Sequence, residues 1–291
     1  MTLAFSAPRP ERAGPLVMVA AMAIVPMIDV LAKMLVLDGM SALQVVFLRM
    51  ALGALIILPF ALRMPRTGPR LRGGWTAAFL MGGLNVAAAA CFFSALYYLS
   101  IADTVAISFV QPIFITLVSC LVLRERVSPL RWMAILVGFL AALIIIRPGF
   151  NELNPGSFLA LGSGFSMACY AIVVRHSSMG GSPASPFALT WYTHLTGMIC
   201  AAPLMLFLWV MPNAEQWLLL LGLTLIGLVG QYLIVTAYRL SEASLVAPFA
   251  YFEIVTSIFV SWLFFRQVPD LITLFGVMLL MCSSLMILRK G

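Results

Sequence analysis

Five ionisable side chains lie inside long apolar runs: Asp29, Lys33, Arg49, His194 and Glu253. A charge held at the centre of a bilayer costs about 2.5–3.5 kcal/mol, so each needs a partner or a function. Asp29 and Lys33 stand four apart, the spacing of a helical ion pair, which leaves self-neutralisation and ligand binding both open. Arg49 carries a planar fork that matches a carboxylate, either that of a solute or that of Asp29. Glu253 is a lone carboxylate with Phe249, Thr256 and Ser257 at helical spacing. It suits an ammonium group or a proton, or, if protonated, a hydrogen bond to a neighbouring helix.

His194 follows Thr190 and Trp191 on one helical face and reads either as a helix contact or as a proton carrier. Asn85, Ser108 with Gln111, Ser163 and Ser166 with Tyr170, and Gln231 with Tyr238 complete the candidate lining. Singly, each fits an interhelical hydrogen bond; together they place polar groups on most of the helices a cavity would need. Glu253, Asp29 and His194 are the candidates for proton coupling. Pro112 adjoins Gln111 at mid-helix depth and is a candidate gating hinge, with Pro26, Pro203 and Pro248 as further interruptions.

Enzyme chemistry finds little footing in this set. The two histidines, His176 and His194, stand apart, with no HExxH pair, no paired-carboxylate motif and no Walker motif. No metal site, cofactor or catalytic residue is expected. The five cysteines (Cys91, Cys120, Cys169, Cys200 and Cys282) all fall inside apolar runs, without metal-ligand spacing.

The elements that position these residues follow from composition. Of 291 residues 63% are apolar and 9% charged, whereas a soluble domain is about 45–50% apolar and about 25% charged. No globule of this size could hide so much apolar surface from water, so lipid must be the solvent for much of it. Runs of about 20 apolar residues give ten expected membrane helices: 16–37, 42–62, 74–99, 102–123, 130–146, 156–174, 187–210, 217–238, 243–265 and 270–288. Continuous rather than alternating apolarity makes these helices and not barrel strands.

Thirteen basic residues fall on one side: Arg9, Arg12, the four arginines of 63–72, Arg124, Arg126, Arg131, Arg175, Arg239, Arg289 and Lys290. Only Arg147, Arg266 and Lys33 fall on the other. The bias puts the basic side and both termini in the cytoplasm, and the positive balance reports topology rather than nucleic-acid binding. The segment MTLAFSAPRPERAG has no cleavage-site pattern, so no removable signal peptide is expected.

Sliding the chain on itself by 141–142 residues aligns ALYYLSIADTVAISF with TAYRLSEASLVAPFA. Five helices per copy make the second copy inverted in the membrane, and Arg126 and Arg131 accordingly become Val268 and Thr273. The expected organisation is a tail at 1–14, a repeat at 15–149 and an inverted repeat at 150–291: an all-α membrane protein of ten transmembrane helices. Inverted repeats build alternating access around a site near the midplane.

The stretch SIADTVAISFVQPIFITLVSCLVLRERVSPLRWMAILVGFLAALIIIRPG resembles the end of a first EamA domain, and SEASLVAPFAYFEIVTSIFVSWLFFRQVPDLITLFGVMLL the end of a second. Arg49 in VVFLRMALGALIILPF matches an arginine common in the second helix of such proteins. The chain thus resembles the drug/metabolite transporter superfamily, and within it the ten-helix family with two EamA domains. One departure is Gln267, where such domains commonly place a Glu after a Gly; here neither stands.

The resemblance implies a secondary carrier of small organic solutes in a bacterial inner membrane. Helices one to four and six to nine would line its cavity, with five and ten bracing the outside. Cation partners (Arg49, Lys33, His194) beside anion partners (Asp29, Glu253) suit a zwitterion, so export of amino acids, aromatic or hydrophobic ones included, is the expected function. S-adenosylmethionine transport and efflux of organic cations are the alternatives. The expected partners are the solute and membrane lipids, with no nucleic acid, in a monomer or weak homodimer.

Overall fold

The computed structural model describes residues 10–62, 73–122, 129–146, 154–178, 186–240, 249 and 252–288. Every regular element among the described residues of this chain is helical. In order they are α1 (Pro10–Ile24), α2 (Pro26–Leu37), α3 (Ala42–Leu62), α4 (Gly74–Tyr98), α5 (Ile101–Ser108), α6 (Gln111–Val122), α7 (Pro129–Ile146), α8 (Pro155–Ser178), α9 (Pro186–Leu208), α10 (Ala214–Leu240), α11 (Phe252–Phe265) and α12 (Leu271–Leu288). Six stretches are long and apolar enough to cross a membrane: Ala13–Leu37, Ala42–Ala61, Gly74–Tyr98, Pro155–Val174, Phe187–Leu208 and Ala214–Ile234. Large side chains face outward without polar cover, Leu206 at 83% and Phe207 at 86% exposure, which only a lipid surround makes tolerable. The chain is a multi-pass membrane protein.

Among the described residues two of the ten expected helices are interrupted; residues 243–248, 250 and 251 of the ninth lie outside the described set. The first breaks at Val25, because Pro26 has no N–H to give the Met22 carbonyl four residues back. Thr256 of α11 supplies the missing donor, its hydroxyl lying 2.6 Å from that carbonyl. The fourth breaks at Phe109 and Val110, between α5 and α6, beside the Pro112 expected to act as a hinge. Sequence periodicity is blind to both breaks, since the apolar run continues through them.

Helix ends explain the connections. Gly39 ends α2 at φ 89, a conformation costly for any side chain, and lets Met40 N–H reach the Leu35 carbonyl. Ser100 caps α5 by accepting from the Asp103 N–H, and Asn213 and Gln216 exchange two bonds at the start of α10. Arg266 ends α11 at φ 56 and lays its guanidinium over Trp262 at 5.4 Å. It stands where the resemblance leads one to expect a glycine, so the backbone needs the conformation even though the residue differs. Arg266→Gly relieves strain while Arg266→Ala does not, and both lose the ring contact. In thermal unfolding the Gly variant is expected to exceed the Ala variant by about 1 kcal/mol.

The bundle pairs α4 with α8 and α9, α1 with α10, α3 with α9 and α7 with α12. Small residues bring backbones together at these crossings. A Cβ on Gly82 of α4 would lie 2.4 Å from the Gly197 nitrogen of α9, and one on Gly53 of α3 would lie 2.3 Å from the His194 ring. The Thr196 hydroxyl, 2.8 Å from the Ala78 carbonyl, completes the α4–α9 contact. Gln44 of α3 is fully buried, and its side-chain amide exchanges two hydrogen bonds with the Val210 backbone after α9.

Candidate functional site

A cavity of about 400 Å³ lies between α1, α2, α3, α4, α5, α6, α8, α10 and α11. Asp29, Arg49, Asn85, Ser108, Gln111 and Glu253 all line it, with Ser163. These seven residues, from seven different helices, are the polar groups brought together out of the expected set. Its apolar wall includes Met18, Met22, Phe92, Phe93, Phe109 and Met167. Sequence reasoning did not single these out, because a Phe or Met facing a cavity carries the same pattern as one facing lipid or a neighbouring helix.

The charged groups share this one space. Asp29, 6% exposed, lies within electrostatic reach of both Arg49 and Glu253. Two carboxylates against one guanidinium leave a single excess negative charge when all are ionised. Pro26 and the break at Val25 set the direction of α2, on which Asp29 lies in the first turn. Glu253 occupies the first turn of α11, three residues before the Thr256 that holds the Met22 carbonyl. Among the described residues no cluster of His, Cys, Asp and Glu has the grouping of a metal site.

Other expected site residues lie elsewhere. Lys33 does not pair with Asp29; its ammonium donates to the Leu99 carbonyl at 2.7 Å and to Gln267 Oε1 at 3.0 Å, beyond the cavity. His194 is buried against Gly53, its Nδ1 2.8 Å from the Thr190 carbonyl, and is outside the lining although within electrostatic reach of Arg49. Tyr170 packs with Ala78 and Met81 behind the wall, also within electrostatic reach of Arg49. Trp191 meets Tyr192 edge-on at 5.3 Å. Ser166 lies outside the lining, as does Phe249, which is 39% exposed. Gln231 is exposed on α10. The side chain of Tyr238 and the whole of Pro248 fall outside the described residues. Thr256 and Ser257 spend their hydroxyls on the Met22 and Ile254 carbonyls.

A charge-bearing, apolar-walled cavity between lipid-facing helices fits a membrane carrier of small solutes rather than a soluble binding protein. The chain belongs to the EamA-like transporter family, within the drug/metabolite transporter superfamily; the family profile matches it twice, over residues 12–147 and 154–289. It is similar to a riboflavin transporter of Vibrio cholerae, 32% identical over 79% of this chain and 77% of that one. It is also similar to the pseudopaline exporter CntI of Pseudomonas aeruginosa, 29% identical over 87% and 88%. An S-adenosylmethionine uptake transporter of Rickettsia prowazekii is 23% identical over 89% and 87%. One crystal structure shares the fold, with a TM-score of 0.60 at 15% identity over 95% of this chain and 96% of that chain.

Proposed function

We propose that the chain is a secondary carrier working by alternating access, and that its solute binds between Asp29, Arg49 and Glu253. The architecture proposed is ten membrane helices in two inverted repeats, 15–149 and 150–291. Its support is the double family match and the recurrence of helix starts: α3, α4, α6 and α7 each begin about 140 residues before α9, α10, α11 and α12. The pairings support it too, since a twofold axis in the membrane plane would exchange α4–α8 with α1–α10 and map α3–α9 and α7–α12 onto themselves. The bacterial inner membrane, with both termini cytoplasmic, is the proposed setting, on the distribution of basic residues.

The observation that carries the substrate reading is the cavity itself. Its volume of about 400 Å³ exceeds what a single amino acid fills, and Phe92, Phe93 and Phe109 offer faces for a flat ring beside the charged trio. The proposed solute is a metabolite of nucleoside to flavin size, with a planar heteroaromatic part and a polar or zwitterionic head. Relatives named for riboflavin and S-adenosylmethionine support this size class. Amino-acid export is the second reading, favoured by the coexistence of a guanidinium and two carboxylates, which would hold both ends of a zwitterion.

Proteoliposomes with the purified carrier separate the two. The expected result is saturable flux of riboflavin or S-adenosylmethionine, competed by the other planar solutes and weakly by tryptophan. Saturable flux of amino acids alone would replace the first reading by the second. Absence of carrier-dependent flux for the whole panel, organic cations included, would sink the placement of the site.

A further inference from the structure

Lys33 is nearly sealed, at 3% exposure, yet the cavity does not use it. It stands one helical turn beyond Asp29 on α2, where the cavity ends. Beyond that point the end of the bundle that carries Leu37 is filled: Leu96 and Ile101 are 0% exposed and Ala102 is 2%. The ammonium therefore sits in the partition between the cavity and that end.

Its partners come from three places in the chain. Leu99 caps the end of α4 in an extended conformation, so its carbonyl has turned away from the helix and has no donor within it. Gln267 lies in the connection from α11 to α12, delivered there by the left-handed turn at Arg266. The Phe265 ring lies 5.1 Å from the ammonium, and Asp103 at the start of α5 is within electrostatic reach. One side chain thus ties α2, the α4–α5 elbow and the α11–α12 connection, elements that lie on both sides of residue 150.

We propose that Lys33 is a latch: its two hydrogen bonds hold the Leu37 end closed, and opening that end requires the ammonium to leave both acceptors. This rests on the alternating-access reading. A structural staple would keep these contacts in every state, whereas a latch stabilises one state only. Charge-assisted bonds of this kind shift a two-state balance by roughly ten-fold or more when removed.

The test uses a Ser108→Cys reporter in the cavity wall and a membrane-impermeant charged thiosulfonate. Modification at residue 108 is followed by peptide mass spectrometry in right-side-out and inside-out vesicles. The parent is expected to label faster from the side opposite the Leu37 end. Adding Lys33→Met, which keeps the apolar stem, is expected to raise labelling from the Leu37 side roughly ten-fold, and Gln267→Ala to raise it less, in the same direction. Labelling from the Leu37 side that stays at the parent rate in both variants overturns the latch and leaves alternating access intact. Equal labelling of the parent from both sides overturns alternating access, and the latch with it. Gln267 is exposed, so its variant decides the matter if Lys33→Met does not fold.

Discussion

Arg49→Ala is expected to lower kcat/KM for the carried solute by at least about 30-fold while leaving a folded protein. Truncating one partner of a buried charge group costs about 2–5 kcal/mol, and each 1.4 kcal/mol is a factor of about ten. The loss has two sources. The fork that orients an anionic or carbonyl group of the solute disappears. Asp29 loses its nearby cation and is left to face the repulsion of Glu253 in an apolar-walled space. Arg49→Lys restores the charge without the fork, so it is expected to recover stability more than transport. The readout is initial flux against solute concentration in proteoliposomes, beside the unfolding temperature in detergent. Unchanged flux in Arg49→Ala would remove Arg49 from the site.

The largest structural effect is expected at a position that touches no solute. An added Cβ at Gly82 would meet Thr196 Oγ1 at 2.3 Å and the Gly197 nitrogen at 2.4 Å. A hydroxyl can turn aside, but a backbone nitrogen cannot, so α4 and α9 must part. That opens the crossing at which Thr196 bonds the Ala78 carbonyl. Gly82→Ala is expected to cost about 3 kcal/mol, at the upper end of overpacking effects, or roughly 6–12 °C in unfolding temperature. Gly162→Ala is the control: its Cβ would meet Cys91 Sγ at 3.7 Å, an ordinary contact, so helix propensity is expected to leave stability equal or higher. Equal unfolding temperatures for Gly82→Ala and the parent would show that this crossing is looser than its geometry.

Much of the architecture is legible in the chain because lipid imposes so simple a rule. A continuous apolar run must satisfy its own backbone, and only a helix does so. The six long spans lie where their hydropathy puts them. The breaks at Val25 and Phe109 were harder, since a proline marks where a helix can yield and not whether it does.

The site divides in the same way. Asp29, Arg49 and Glu253 announce themselves by the cost of placing them in an apolar run, and they do meet around one space. Lys33 announces itself equally loudly yet meets Leu99 and Gln267, because its long stem lets the charge settle away from the turn that carries it. Trp191 and Gln231 share helices with plausible neighbours but face elsewhere, and helical phase alone does not say which side of a membrane helix looks inward. Gln44, whose amide closes a ring with Val210, passed unnoticed because its partner is backbone, which no residue type reveals.

The bond from Thr256 to the Met22 carbonyl makes two distant positions answerable to each other. Were Pro26 replaced by a residue with an N–H, α1 could run on into α2, the Met22 carbonyl would find its donor locally, and the threonine hydroxyl would become surplus. With proline in place, a valine at 256 would strand that carbonyl at membrane depth. Each substitution is therefore tolerable or harmful according to what occupies the other site. Among descendants of this sequence, a helix bent at residue 26 and a hydroxyl at residue 256 should be inherited, or lost, as a pair.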